Sequence, residues 1–235
     1  MAPILNNDDI FGRTYNNLKE LIISGSYAPG EKLDIERLAE KLRVSTTPIR
    51  EILNRLVAEN LIVMIPRLGF FMKDLSESDI RDLYEINKLL LDFSLDIPPN
   101  TIMESGRGCL PNFRRIMDKL SQPNIVSHEF IVNSYSKFFV LLASLSDNNE
   151  IIGRIQNIND RLNHIRLYES QHLIDNPAAE LLNLFQWYDN LQLDRLHQGL
   201  DGYHTVRLNR LVKLIRGMRL KQRPLNDEEL ANDSV

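Results

Sequence analysis

The sequence has little cysteine and no long apolar run. Cys109 is the single cysteine among 235 residues, which excludes an intrachain disulfide framework and makes a buried or idle thiol the expectation. No apolar stretch approaches the roughly 20 residues that a membrane-spanning helix needs. The first residues also lack a basic segment followed by an apolar core, so no signal peptide is expected. These absences predict a cytoplasmic protein with no membrane partner.

The sequence lacks the positive net charge typical of nucleic-acid-binding proteins. Its formal net charge is −4. Residues 1–75 contain ten basic and ten acidic residues, so the excess of acid lies later in the chain. Any DNA-binding surface in the first part must gather its basic side chains on one side. The candidates for that side are Arg43, Arg50, Arg55, Arg67 and Lys73. Such modest basicity predicts that a single copy binds weakly and that a dimer is needed.

Enzyme motifs are also missing. There is no Ser/His/Asp or Cys/His signature and no pair of carboxylates in a recognisable motif, which argues against catalysis. Residues 25–32, GSYAPGEK, superficially resemble a phosphate-binding loop. In such a loop the lysine directly follows the second glycine and a strand comes before it. Here Glu31 intervenes and a helical pattern precedes, so we predict neither an enzyme nor a cofactor.

One stretch organises the N-terminal part of the chain. Residues 34–42 predict a short amphipathic helix, which a turn separates from a second helix over about residues 46–59. Thr46 and Thr47 are N-cap residue types, and Pro48 suits the first helical position. This pattern predicts a helix-turn-helix.

The second of these helices has two different faces. Four apolar residues follow the i, i+3, i+4, i+7 rule and form one stripe: Ile49, Ile52, Leu53 and Leu56. Thr47, Arg50 and Asn54 fall on a roughly opposite face. Hydroxyl, guanidinium and carboxamide groups can contact phosphates and base edges. The stripe is therefore expected to hold the helix to its domain while the other face meets DNA.

A short hairpin is predicted to follow. Residues 61–65 form a β-type run, residues 66–69 turn the chain, and residues 70–72 return. A two-stranded wing after a helix-turn-helix would place Arg67 and Gly69 near the DNA backbone or the minor groove.

This stretch resembles the GntR family of bacterial winged-helix regulators over roughly residues 10–75. The matching residues are Gly30-Glu31-Lys32-Leu33, Leu38-Ala39, Val44-Ser45-Thr46-Thr47-Pro48-Ile49-Arg50-Glu51, Leu53, Arg55-Leu56 and Gly69. The resemblance implies a transcription regulator that binds a palindromic double-stranded DNA operator as a homodimer, as a repressor or an activator. The candidate DNA-binding residues are Arg43, Ser45, Thr46, Thr47, Pro48, Arg50, Asn54, Arg67 and Gly69.

One position departs from the family pattern. The family usually has an arginine between the serine and the threonine, and this chain has Thr46 there. Arg50 and Thr47 remain. The resemblance therefore implies the same class of protein with a different DNA sequence preference.

The rest of the chain predicts helices only. Patterns over about residues 77–95, 111–120, 125–145, 150–169, 178–190 and 193–219 fit a helical bundle. We therefore predict a mostly α fold in two domains. A winged helix-turn-helix covers residues 1–75, an all-α bundle covers residues 76–221, and residues 222–235 form a disordered tail.

The bundle resembles the FCD effector domain of FadR-like GntR regulators. That resemblance implies dimerisation, a small-molecule effector and, in many members, a metal held by one Asp and three His. Here Tyr135 and Phe139 occupy the positions of the Asp and the first His, and Leu181 or Leu182 that of the next. Only His204 is kept, so no metal is predicted. The implied effector-pocket residues are Tyr84, Asn87, Tyr135, Phe139, Leu182 and His204.

Two interpretations of this bundle remain open. The substitutions would give a cavity suited to an apolar or neutral effector, or the interior is filled and the domain serves only for dimerisation. Basic residues recurring from Arg207 to Arg223 predict either a second nucleic-acid surface or a solvated basic face on the last helix, and the apolar residues between them favour the solvated face. A third possibility for the whole chain is a winged helix that contacts protein instead of DNA.

Overall fold

The computed structural model describes residues 7–96, 113–122 and 126–222. Within them the helices are α1 (Asn7–Ile23), α2 (Ile35–Leu42), α3 (Thr46–Ala58), α4 (Glu77–Leu95), α5 (Phe113–Leu120), α6 (His128–Ser144), α7 (Asn149–His172), α8 (Pro177–Asp189) and α9 (Leu193–Gln222). The strands are β1 (Lys32–Leu33), β2 (Ile62–Ile65) and β3 (Gly69–Met72). The predicted mostly α fold is confirmed. Cys109 and the predicted tail after Gln222 lie outside the described residues.

The N-terminal unit has its own hydrophobic core. The apolar stripe of α3 is fully buried, with Ile49, Ile52, Leu53 and Leu56 each 0% exposed. It packs against α1, α2 and the sheet. Burying such side chains stabilises the unit by about 1.5–3 kcal/mol each relative to exposure. The predicted stripe therefore fixes α3 and turns its other face outward.

The turn between α2 and α3 is closed by backbone geometry. Asp34 caps α2 by accepting a hydrogen bond from the backbone N–H of Arg37 at 3.0 Å. At the other end Arg43 adopts the left-handed conformation with φ 56°. The N–H groups of Arg43 and Val44 bond back to Glu40 and Ala39, which is the Schellman pattern. An arginine thus occupies a position that usually favours glycine.

The helix α3 begins at Thr46, as predicted, but its cap residue and the place of Pro48 differ from the prediction. Ser45 is the N-cap residue, with extended backbone and no side-chain capping bond, and Thr46 is the first helical residue. Pro48 is therefore the third residue of the helix and not the first. Its missing N–H still costs nothing, because the first four N–H groups of a helix have no partner within it.

The sheet of the N-terminal unit contains one more strand than predicted. β2 and β3 form the expected two-stranded wing, which is confirmed, and β1, which precedes α2 in the chain, pairs antiparallel with the other side of β3 to give the order β1-β3-β2. A two-residue strand was missed because it is too short to show an alternating pattern.

The hairpin turn of the wing has a defined geometry. The N–H of Leu68 bonds to the carbonyl of Ile65 at 3.0 Å, with Pro66 and Arg67 between them. Arg67 has φ 67°. Proline followed by a residue of positive φ is the arrangement of a type II turn. The turn exposes the Arg67 side chain at the end of the wing.

The C-terminal unit is a helical bundle with a second core. α6 packs along α7, and α9 packs against α4. Ser76 and Asp79 form a capping box at the start of α4. The two cores are separated near residues 73–76, where we place the boundary between domains.

The buried face of α4 is partly polar. Asn87, Leu91 and Ser94 are buried, whereas Ile86 and Phe93 are exposed. Asn87 lies within hydrogen-bonding distance of His204 on α9, and the Ser94 hydroxyl donates to the carbonyl of Leu90 in its own helix.

Candidate nucleic-acid interface

The outward face of α3 carries the three predicted polar residues. Thr47, Arg50 and Asn54 are exposed on a helix whose opposite stripe is fully buried. Their spacing of three and four residues keeps them on one side of the helix. A guanidinium and a carboxamide on an accessible helix can pair with guanine and adenine edges in the major groove.

The other predicted contacts near the helix start are also accessible. Arg43 and Ser45 are exposed, and Thr46 and Pro48 are half-buried. None of the nine candidate DNA-binding residues is buried in the described part of the chain. Their role in DNA binding stays a prediction.

A groove connects α3 to the wing. Arg50 and Asn54 of α3 line it together with Arg67 and Gly69 of the wing. Lys32 of β1 joins this groove. Sequence analysis missed Lys32, although it belongs to the Gly30–Leu33 segment that carries the family resemblance. The fold therefore gathers three cations around one concave surface.

Two of the basic residues expected on this side are elsewhere. The Arg55 guanidinium lies 4.1 Å from the centre of the Tyr15 ring, and its Nε is 3.3 Å from Glu59. Lys73 lies at the junction of the two domains. Asp34 and Glu36 add acidic groups to the groove. The interface is thus only modestly positive, as the neutral charge of residues 1–75 predicts.

Most of the predicted effector-pocket residues meet in the centre of the bundle. Tyr84, Asn87, Tyr135, Phe139 and His204 are buried, and Leu182 is half-buried. Tyr84, Tyr135, Phe139 and His204 all contact the ring of Tyr203. Sequence analysis did not single out Tyr203, because a lone tyrosine in a helix gives no signal of its partners. The role of the six residues as a pocket stays a prediction.

The interior around these residues is charged. Arg207 donates to both carboxylate oxygens of Glu180 at 3.0 and 2.9 Å, and its Nε lies 3.5 Å from Glu169. The guanidinium stacks 3.5 Å from the centre of the Tyr203 ring. Arg207 was predicted on the solvated face of the last helix, and that is wrong because it is 3% exposed.

The buried ion pairs shift the pKa values of their members. Burial alone raises the pKa of Glu180, but hydrogen bonds and charge from Arg207 outweigh it and hold that pKa below its usual value. Burial raises the pKa of Glu169 despite Arg207 and a hydrogen bond from Tyr84 at 2.8 Å. The pair is therefore asymmetric, and Glu180 is its firmer anion.

His204, the one kept ligand position, is buried and has polar partners at both ring nitrogens. Its Nδ1 lies 2.7 Å from the Leu200 carbonyl and its Nε2 3.0 Å from Oδ1 of Asn87. Burial lowers its pKa to about 3, so the ring is neutral at pH 7. Within the described ranges no cluster of three or more His, Cys, Asp or Glu side chains could hold a metal.

Comparisons with known proteins identify the N-terminal unit. Residues 12–72 match the family described as bacterial regulatory proteins, gntR family. The chain is 26% identical over 174 residues to the uncharacterized HTH-type transcriptional regulator YdhC of Bacillus subtilis, covering 73% of this chain and 77% of that one. It is 27% identical over 151 residues to the Nta operon transcriptional regulator of Aminobacter aminovorans, covering 64% and 70%.

A solved structure supports the fold of most of the chain. A GntR transcriptional regulator from Rhodococcus sp. RHA1 superposes with a TM-score of 0.71 at 18% identity, covering 86% of this chain and 97% of that one. At this identity the likeness establishes the fold alone. Among the described residues, no helix is long and apolar enough to cross a bilayer. Taken with the exposed face of α3 and the adjoining wing, these matches identify residues 12–72 as a winged helix-turn-helix of the gntR family and the chain as a DNA-binding transcriptional regulator.

Proposed function

We propose that this regulator binds a palindromic operator in double-stranded DNA as a homodimer and acts in the cytoplasm. The recognition helix α3 enters the major groove, where Arg50 and Asn54 read base edges and Thr46 and Thr47 contact bases or phosphates. The observation that carries the proposal is the groove in which α3 and the wing present Arg50, Asn54 and Arg67 to the same side.

The wing follows the recognition helix onto the backbone. Arg67 is exposed at the hairpin turn, and Gly69 begins the returning strand. The Arg67 side chain at this turn can reach a phosphate or the adjacent minor groove. Lys32, which lines the same groove, is a further candidate for a phosphate contact.

Dimerisation is supported by an unusual apolar stripe on α4. Ile86, Leu89 and Phe93 are 42%, 63% and 61% exposed. Spacing of three and four residues places them on one side of the helix. Large apolar side chains gathered in one exposed patch are typical of an interaction surface. A second copy of α4 is the occupant we propose, since a two-fold axis brings the same patch of both copies together.

Control by a small molecule is the second part of the proposal. The helical domain contacts the winged helix directly: Asn163 of α7 donates to the carbonyl of Ile23 at 2.8 Å, and Lys19 of α1 lies 2.7 Å from Asp160. An effector that binds two arrangements of these domains with different affinity shifts the population between them. In the alternative the bundle serves only for dimerisation.

The test is selection of bound sequences from random duplex DNA, followed by footprinting and a salt titration on the selected site. We expect an inverted repeat whose half-sites are about one helical turn apart, and binding that weakens steeply with salt. The control is a scrambled duplex of equal length and composition. Equal affinity for both duplexes would contradict sequence-specific binding. If neither duplex shows salt-dependent binding, the winged helix would be better explained as a protein-interaction module.

A further inference from the structure

A partly enclosed cavity of about 70 Å³ lies where the two domains meet. The winged-helix side contributes Ile22, Ile23 and Leu61, and the bundle side contributes Ile165 and Met218. Most of the lining is apolar, and both domains share it. This cavity is separate from the centre of the bundle, since none of the six predicted pocket residues lines it.

Two polar atoms in this cavity's wall lack hydrogen-bond partners among the described residues. They are Nε of Arg161 and Nδ1 of His164, both of which belong to residues that line the cavity. The two residues are three positions apart on α7, so they face the same way. Buried polar atoms are nearly always paired, and an unpaired one costs free energy. Two such atoms beside one cavity indicate a polar ligand atom as their partner.

The charged groups around the cavity balance one another. Asp160 is held 2.7 Å from Lys19, which also lies 2.8 Å from Glu59. Lys73 and Asp74, which carry opposite charges, also line the cavity. Burial lowers the pKa of Arg161, and the negative charge of Asp79 partly offsets that effect. Burial also lowers the pKa of His164, which favours its neutral ring. The two cations and two carboxylates of the lining sum to zero net charge, so a charged ligand would leave one charge uncompensated, whereas an uncharged ligand would not.

We infer that this cavity binds a small uncharged molecule with an apolar body and one hydroxyl oxygen. The hydroxyl oxygen accepts a hydrogen bond from Nε–H of Arg161, and the hydroxyl O–H donates a hydrogen bond to Nδ1 of His164. An engineered apolar cavity of about 150 Å³ holds benzene. This cavity has about half that volume but opens on one side, so a body of about four to six non-hydrogen atoms fits with part of it at the opening. A branched short-chain alcohol has this chemistry and size.

Occupancy of the cavity would be sensed by the winged helix. His164 packs against Gly25, where an added Cβ would lie 3.0 Å from its Nδ1 and where φ is +80°. Asn163, the neighbour of His164, bonds to the end of α1. A ligand that touches both domains therefore favours one of their relative arrangements over others. Its action as an effector rests on the proposed function, but its binding does not.

The test uses three probes of one shape and different charge: 3-methylbutan-1-ol, 3-methylbutanoate and 3-methylbutylammonium. Binding to the full-length protein is measured by saturation-transfer NMR titration. We expect the alcohol to bind with a Kd on the order of 1 mM, at least tenfold tighter than either ion. Arg161→Met should weaken the alcohol about tenfold, because a hydrogen bond from a charged donor is lost. Arg154→Met, an exposed position of the same helix, is the matched control.

A second variant fills the cavity from another helix. Ile215→Trp places a larger ring from α9 in the lining and should abolish alcohol binding while Arg154→Met retains it. Equal binding of the carboxylate or the ammonium ion, or unchanged alcohol binding by both Arg161→Met and Ile215→Trp, would overturn the inference. Operator affinity is measured separately with and without the alcohol. If the ligand-free protein does not bind the operator, only the proposed function is contradicted. If the alcohol binds but leaves the operator affinity unchanged, the effector role is overturned.

Discussion

The side-chain amide of Asn157 donates a hydrogen bond to the backbone carbonyl of Glu59 at 2.7 Å. Glu59 is the C-cap residue of the recognition helix α3, and Asn157 lies on α7 of the bundle. The helical domain therefore contacts the end of the helix that we propose reads DNA. Around this contact Lys19 lies 2.8 Å from the Glu59 carboxylate, and Tyr15 donates to the same carboxylate at 2.5 Å.

Asn157→Ala should loosen this junction. It removes a half-buried hydrogen bond worth about 0.5–1.5 kcal/mol, so we expect faster hydrogen–deuterium exchange over residues 59–65. Asn190→Ala is the control, because Asn190 donates only to the carbonyl of Gln186 in its own helix. Unchanged exchange in the winged helix of Asn157→Ala would show that the contact does not restrain it.

Arg50→Ala should weaken operator binding by about 1–3 kcal/mol if the guanidinium reads a base. Arg50 is exposed, so the free energy of unfolding should change by less than about 0.5 kcal/mol. Affinities for the selected operator and for a scrambled duplex are compared by fluorescence anisotropy. Arg154→Ala serves as control, and wild-type operator affinity in Arg50→Ala would remove Arg50 from the interface.

Phe93→Asp should convert the proposed dimer into a monomer. A carboxylate in the apolar stripe of α4 would be buried without a partner on association. Analytical ultracentrifugation measures the mass, and operator affinity should fall with it because one winged helix binds weakly. Val212→Asp is the control, since Val212 of α9 is a similarly exposed apolar residue outside both this stripe and the groove between α3 and the wing. A Phe93→Asp variant that remains dimeric would place the interface elsewhere.

Arg207→Met should destabilise the bundle by about 3–5 kcal/mol, because Glu169 would be left as a buried carboxylate without its cation. Urea unfolding measures the change. Adding Glu169→Gln removes that charge and should restore part of the stability. Arg216→Met, exposed on the same helix, should stay within about 0.5 kcal/mol of the wild type. If the Arg207 variant behaves like the Arg216 variant, the buried ion pair does not stabilise the fold.

His204 should make the protein less stable in acid. Its pKa is about 3 in the folded protein because of burial, against about 6.5 in an unfolded chain. Stability that depends on the neutral ring is therefore complete above about pH 6.5 and is lost as pH falls toward 3. Between pH 6.5 and pH 5 the free energy of unfolding should fall by about 2 kcal/mol because of this group.

Comparison of wild type with His204→Gln isolates this effect, since other groups titrate equally in both. Urea unfolding at pH 7 and pH 5 gives the two stability differences. The variant should be the less stable protein at pH 7, with a difference that shrinks by about 2 kcal/mol at pH 5. His172→Gln, at an exposed position, controls for loss of any imidazole. A difference that does not change with pH would contradict the assignment.

The recognition helix was predictable because its information is local. The i, i+3, i+4, i+7 stripe, the turn residues and Pro48 all lie within a dozen positions of one another, and the helix forms where they indicate. The helices of the bundle follow their apolar periodicity in the same way. The start of α3 at Thr46 was less certain in sequence, because Ser45, Thr46 and Thr47 are all capping types.

Other features depend on residues far apart in the chain. β1 forms because Lys32 and Leu33 pair with Phe71 and Phe70. A two-residue segment is too short for its sequence to predict that pairing. Arg207 belongs to a basic pattern in sequence, and only the approach of Glu180 and Glu169 makes its burial tolerable. Asn87 is buried because His204, 117 positions away, reaches it.

The sequence by itself determined a winged helix-turn-helix with Arg50 and Asn54 on its outward face, followed by a helical bundle, because periodicity and capping act over a few residues. The tertiary structure alone decided which charges lie in the groove and which lie in the core. It also decided that Arg161 and His164 border a cavity shared by both domains. Such facts depend on distances between helices and strands remote in the chain, and packing sets those distances.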